Sequence, residues 1–297
     1  MKRLAWALAL LLAGPLAQAD SLTGCQVEPQ PSAAEQDRLL RLAAVIKTEL
    51  QASGQALALI SRAGLNLRLI GQRYSHAGLS LRQNSHSPWA VRQLYYACDE
   101  QAPRIFDQGL SGFVLGSGRH SFVSVLLLPD EAAEALTQSA LDDRQALQLL
   151  GAHYSANAYA FGLRYQNCNQ WLVELLAAAW SGTSADTVIE RAEAQAWLRE
   201  AGYQPSSIEL GLRPLYWLSG LLPWLHQDDH PAEDRAAARY RLSLPAGIEA
   251  FIQRRLPETR RIEFCADDQH IVVHAGWTPL GADCQAGPDD RRIALQG

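Results

Sequence analysis

Lysine is almost absent from this sequence. Lys2 and Lys47 are its two lysines, so nearly all of the 26 positive side chains are arginines, and 31 carboxylates set a formal net charge of -5. A nucleic-acid binder carries a basic excess, which is missing here. Beyond the N-terminal segment there is also no run of ~20 apolar residues free of charge and proline, as a membrane-spanning helix requires. No glycine-rich phosphate-cradling loop occurs, and no repeat beyond a short echo, Ser75-His76-Ala77-Gly78 and Val273-His274-Ala275-Gly276. What is present is 297 residues, 48% hydrophobic and 19% charged. Such a chain can bury one large core or two modest ones, which excludes a disordered or coiled-coil protein.

The N-terminus reads as an export signal. Lys2 and Arg3 precede an apolar run from Leu4 to Leu16, followed by the small-x-small pattern Ala17-Gln18-Ala19. Cleavage after Ala19 leaves 24 positive against 31 negative side chains, a net of -7. A second reading takes Leu22-Thr23-Gly24-Cys25 as a lipoprotein box acylated at Cys25, although Gln18 and Asp20 separate it from the apolar run. Either way the expected location is periplasmic or secreted, where disulfides persist.

In such a compartment five cysteines leave one over. Cys265 and Cys284 flank two strand-like runs, Arg261 to Cys265 and His270 to His274, and a bridge there would staple a C-terminal hairpin. Cys25 and Cys98 form the natural second pair, with other connectivities open. The remainder is Cys168. Asn167 is a good N-cap, and Trp171, Leu172, Leu175, Leu176 and Ala179 line one face of the helix that follows. Cys168 then falls in the first turn, where free N–H groups and the helix dipole favour a thiolate.

A nucleophilic thiol needs a base. Alternation from Tyr74 to Arg82 puts His76 on the polar face of a half-buried strand. Pairing with the next strand, Trp89 to Ala97, sets His76 opposite Tyr95 with Gln93 one step along, placed to orient the ring.

At these residues the chain resembles the circularly permuted branch of the papain-like cysteine enzymes, which includes NlpC-type peptidases and lecithin:retinol acyltransferase relatives. The similarity lies in Ser75-His76-Ala77-Gly78, followed later by Asn167-Cys168-Asn169-Gln170-Trp171. From Gln36 to Ala178 the chain also resembles an uncharacterised exported proteobacterial family, through the blocks Arg73 to Gly78 and Tyr165 to Trp171. The resemblance implies Cys168 as nucleophile, His76 as base and later acid, and Gln93 as the third residue, with His86 the alternative. It implies an oxyanion donor at the Cys168 backbone N–H, with Gln166 or Tyr165 as side-chain contributors. A non-permuted reading gives the base role to His274.

The remaining elements follow from pattern. Ser32 to Glu35 is a capping box for a helix ending near Ala52, stopped by Gly54. Strands are expected at 56–62, 74–83, 89–97 and 122–128, and a helix over 131–150. The fold class is α+β, permuted papain-like: an antiparallel sheet with a packed nucleophile helix, plus a mainly helical C-terminal extension ending in a disulfide-stapled hairpin. Residues 1–19 are the leader, 20–200 the core and 201–297 the extension. Leu212 to His226 is expected to pack on the core, His226 to Pro231 to form a solvated turn rather than a metal site, and Arg254-Arg255 and Arg260-Arg261 to lie on a solvated face. The expected function is an exported thiol amidase, peptidase or acyltransferase, taking a small-molecule, peptide or lipid substrate without metal or cofactor. The alternative is a non-catalytic envelope binding or assembly protein on the same fold.

Overall fold

The computed structural model describes residues 31–100, 102–117, 121–182, 187–211, 213–222 and 224–295. The expected leader and Cys25 lie outside them. Helix α1 (Ala33–Ala52) begins at the expected capping box: the Ser32 hydroxyl accepts the Glu35 N–H at 3.3 Å, and the Glu35 carboxylate accepts the Ser32 N–H at 2.9 Å. Gly54, at φ +79°, turns the chain out of the helix. Strands β1 (Leu57–Arg62), β2 (His76–Leu81), β3 (Ala90–Ala97) and β4 (Ala102–Gln108) then form an antiparallel meander. They are followed by α2 (Leu110–Leu115), β5 (Phe122–Leu127), α3 (Asp130–Leu141), α4 (Asp143–Gln148), α5 (Cys168–Trp180) and α6 (Arg191–Glu200). The C-terminal part comprises β6 (Ser206–Glu209), α7 (Arg213–Ser219), α8 (Ala232–Ala236), β7 (Arg239–Leu242), α9 (Pro245–Arg255), β8 (Arg260–Ala266), β9 (His270–Ala275) and β10 (Arg291–Ala294).

One eight-stranded antiparallel sheet, in the order β10-β9-β8-β5-β1-β2-β3-β4, organises the molecule. Alternation along each strand gives it two apolar faces. Leu57, Leu59, Ala77, Leu79 and Leu126 face α3, α5 and α9, meeting Trp171, Leu172, Leu175 and Phe251. Ala58, Ile60, Val91, Val123 and Val125 face α1 and α2, meeting Leu39, Leu42, Ile46 and Phe113. The result is three layers, helix on sheet on helix.

Several expectations are corrected. The C-terminal extension is not mainly helical and is not a layer added to a finished core. Strand β8 pairs with β5 in the middle of the sheet, so the boundary at residue 200 does not divide the fold. The expected 131–150 helix breaks at Asp142, which leaves helical geometry (ψ 99°) and caps α4 by accepting the Arg144 N–H at 2.9 Å. Strand β4 was not expected, because Pro103 interrupts its pattern; as the outermost strand it tolerates the missing donor. In the Leu212–His226 segment Tyr216 is buried, but Trp217 is 62% and Leu221 78% exposed. The seven-residue α7 buries one side only, against a small cluster with Ile208, Tyr240 and Leu242. The 226–230 loop is a packed strap, not a solvated turn. Asp229 accepts the Tyr159 N–H at 2.9 Å, His230 Nε2 bonds the Asn157 carbonyl at 2.8 Å, and His226 stacks on Tyr165. Among the described residues no group of three or more His, Cys, Asp or Glu is placed to hold a metal, and no helix is long and apolar enough to cross a membrane.

Arg260 and Arg261 part company, since alternation sends one outward and the other inward. Arg260 is exposed; Arg261 is buried between Glu249 (3.1 Å) and Glu263 (3.3 Å). Glu263 also receives Arg73 at 2.7 Å, the Leu280 N–H at 2.7 Å and the Tyr74 hydroxyl. Burial works against its charge, but Arg261 and these donors hold its carboxyl below the usual range. Cys265 and Cys284 are bridged beside this cluster, tying β8 to the loop after β9. Removing one member of such a cluster strands a buried charge. Arg261→Met should therefore cost about 3–5 kcal/mol in urea unfolding, against no more than about 0.5 kcal/mol for Arg260→Met.

Candidate functional site

The β2–β3 ladder has the expected register, Leu79 opposite Arg92, and it stops there. At this end the N-terminus of α5 meets the sheet. The Asn169 side chain bonds β2 as a neighbouring strand would: its Oδ1 accepts the Ala77 N–H and its Nδ2 donates to the Ser75 carbonyl, both at 3.0 Å. The residue after Cys168 is thus fastened on both sides of His76.

The polar residues around Cys168 are committed to scaffolding. Asn167 Oδ1 caps α5, accepting the Gln170 N–H at 2.7 Å, while Nδ2 donates to the Ala156 and Ser243 carbonyls. Gln170 donates to the carbonyls of Tyr159, Ala160 and Gly162, and the Trp171 indole donates to Ala146. Gln166 accepts the Gly151 N–H and donates to the Leu149 carbonyl and to Glu174, a fully buried carboxylate also gripped by Arg191 and Gln195. Cys168 is free and half-buried.

His76 is also half-buried, and its Nε2 is hydrogen-bonded to Gln93 Oε1. The Gln93 amide nitrogen donates to Gln108 at 2.8 Å, which turns Oε1 toward the imidazole. This fixes a proton on Nε2 and leaves Nδ1 as the basic nitrogen. Gly78 permits the approach: a Cβ there would lie 2.7 Å from Val91 Cγ1 and 2.9 Å from the Arg92 carbonyl oxygen. The structure therefore brings His76 together with Gln93, and joins the Cys168 turn to the His76 strand through Asn169. Among the described residues the thiol and the imidazole are not hydrogen-bonded to each other.

Other sequence candidates lie apart. His86 is in the hairpin turn at the opposite end of β2, where its N–H bonds Asn84. His274 sits on β9, with β8, β5 and β1 between it and β2, and its Nδ1 is held by Asp290 at 2.6 Å. Gln166 has its amide donors committed to Leu149 and Glu174, and Tyr165 turns its ring onto His226. Neither side chain is free to serve an oxyanion. Cys98 is disulfide-bonded; its expected partner, Cys25, lies outside the described residues. Asn169 was legible as a helix-start residue but not as a clamp. Tyr154, whose hydroxyl is held protonated by burial and by its proximity to Cys168, carried no sequence signal at all.

The electrostatics reverse the expectation of a thiolate. Burial pushes the Cys168 thiol up to about 12, against the opposing pull of the Asn169 N–H, the Arg62 charge and its own N–H. Burial and the Arg62 charge together lower His76 to about 3, with the Gln93 hydrogen bond opposing. The resting groups are a neutral thiol at the start of α5 and a neutral imidazole at the start of β2.

The sequence pattern of one bacterial family, described as "Uncharacterized protein conserved in bacteria (DUF2145)", matches residues 49–252. No curated protein and no solved structure matches the chain.

Because a raised thiol pKa keeps sulfur protonated until the pH approaches it, thiolate absorbance at 240 nm should be absent at pH 7 and grow only above about pH 10. The signal is read as the difference between wild type and Cys168→Ser, which cancels the tyrosinate absorbance that grows in the same pH range. A midpoint at or below pH 8 would contradict the buried neutral pair.

Proposed function

The chain belongs to this bacterial family, which carries no assigned reaction, and from the site itself we propose that it is an exported thiol hydrolase or acyltransferase acting through a Cys168 acyl-enzyme. The observation that carries this reading is the Asn169 clamp, which fastens the turn holding a free thiol to the strand holding an oriented imidazole. Such an arrangement supports a permuted papain-like site, with the histidine strand preceding the cysteine helix. Location outside the cytosol is supported by the Cys265–Cys284 bridge and the bonded Cys98.

The chemistry proceeds from the neutral pair. His76 Nδ1 removes the proton from Cys168 as sulfur attacks the carbonyl carbon of an ester or amide, forming a C–S bond and a tetrahedral oxyanion. The Cys168 backbone N–H, at the first turn of α5, is the proposed donor to that oxyanion. Collapse breaks the bond to the alcohol or amine, which takes the proton from the His76 imidazolium. Water or an acceptor amine then attacks the thioester, His76 accepts its proton, and the product leaves with the thiol restored. Gln93 keeps the proton on Nε2 and so leaves Nδ1 as the base.

A second reading, a non-catalytic envelope binding protein on the same fold, is favoured by the raised thiol pKa and by where the hollows lie. Two of them, of about 280 and 630 Å³, meet at Phe122, Arg68 and Ala282, and neither includes Cys168 or His76. An activated-ester or vinyl-sulfone probe separates the two readings. Under the catalytic reading it labels Cys168, His76→Ala lowers the rate by about 10²–10⁴-fold, and Asn169→Ala lowers it by about 10²-fold by releasing the strand. Equal, slow labelling in all three proteins would leave the binding reading.

A further inference from the structure

Arg62 closes β1, directly opposite His76 in the β1–β2 register. Its guanidinium is held in a fixed place. Nη1 donates to the Phe113 carbonyl at 3.1 Å, and Cζ lies 5.1 Å from the centre of the Phe113 ring. The same ring lies 5.9 Å from the His76 imidazole, so Phe113 contacts both. Gly116 makes the space: a Cβ there would fall 1.1 Å from Nη1. We infer that Arg62 is an electrostatic positioning residue, a fixed positive charge beside the His76 imidazole that favours the anions of the reaction and disfavours the imidazolium. The inference rests on reading Cys168 as the acyl-accepting thiol.

The charge acts on both partners. It pulls the Cys168 thiol toward ionisation and makes His76 harder to protonate. Among the described residues, the other groups acting on the pair are uncharged: Gln93 on His76, and the backbone N–H groups of Cys168 and Asn169 on the sulfur. During acyl transfer the thiol gives up its proton as sulfur attacks, and Arg62 favours the negative charge on sulfur. Once His76 holds the proton, the same charge drives it on to the leaving alcohol or amine. A fixed cation thereby assists the two halves of the step without touching substrate.

Removing the charge must raise both pKa values, because each is lowered by Arg62. Loosening the structure would act differently: relief of burial raises His76 but lowers Cys168. The test follows His76 by its ring-carbon NMR shift and Cys168 by thiolate absorbance, in wild type, Arg62→Lys, Arg62→Met and Arg62→Gln. Lysine keeps the charge, and glutamine keeps a donor for the Phe113 carbonyl without charge. Both midpoints should rise in the Met and Gln variants and stay near wild type in the Lys variant, with a tenfold fall in thiolate fraction for each pH unit that the thiol midpoint rises. A rise at His76 with a fall at Cys168, or no movement at either, would overturn the assignment and leave Arg62 as a cap on α2. These titrations need no turnover, so they can fail while probe labelling of Cys168 still depends on His76, and can succeed where it does not.

Discussion

Much of this molecule depends on a primary amide doing what a strand would do. The β2–β3 ladder ends at Leu79, and the backbone just before it would be left with open polar groups beside a helix end. The Asn169 amide offers one acceptor and one donor at a spacing that meets the Ala77 N–H and the Ser75 carbonyl. Each bond is worth only about 0.5–1.5 kcal/mol net. Their consequence is geometric, because they join the first turn of α5, which carries the thiol, to the residues on either side of His76.

The clamp is useful only if α5 itself cannot slide. Glu174, one turn and a half along the helix, is fully buried and takes Arg191 at 2.9 Å, Gln195 at 2.7 Å and Gln166 at 2.6 Å. Gln166 in turn holds Gly151, whose Cβ position would be 2.9 Å from the Gln166 Cβ. A buried carboxylate therefore anchors the segment entering the helix as well as the helix. On the other side Asn167 reaches Ser243, and β8 enters the sheet next to β5. The C-terminal third is thus part of what fixes the site, not an accessory to it.

Local pattern made much of this legible. The capping box at Ser32, the strand alternation around His76 and the N-cap at Asn167 are short-range features whose physics is written within a few residues, and the β2–β3 register followed from the turn alone. What was not legible depends on partners distant in sequence. Arg261 looked like one of a solvated arginine pair because its carboxylates, Glu249 and Glu263, become an ion cluster only when β8 joins the sheet. The 226–230 loop had the composition of a turn, and its polar groups prove to be committed to Asn157 and Tyr159 some 70 residues away. At the site, Cys168, His76 and Gln93 were nameable from sequence. The role of Arg62 was not, because it requires the β1–β2 pairing and the space above Gly116.

Helix-terminus reasoning correctly identified forces that favour a thiolate and misjudged which force wins. The N–H groups of α5 do act on the sulfur, but burial outweighs them, and the thiol stands at about 12 and the His76 imidazole at about 3. A thiol in that state is protected from adventitious oxidation, since oxidation requires thiolate. Under the proposed acyl chemistry, ionisation must then be coupled to attack. In that proposal the proton leaves sulfur only when negative charge can move onward to a carbonyl oxygen. A preorganised but neutral pair thus reconciles a long-lived free thiol with acyl chemistry.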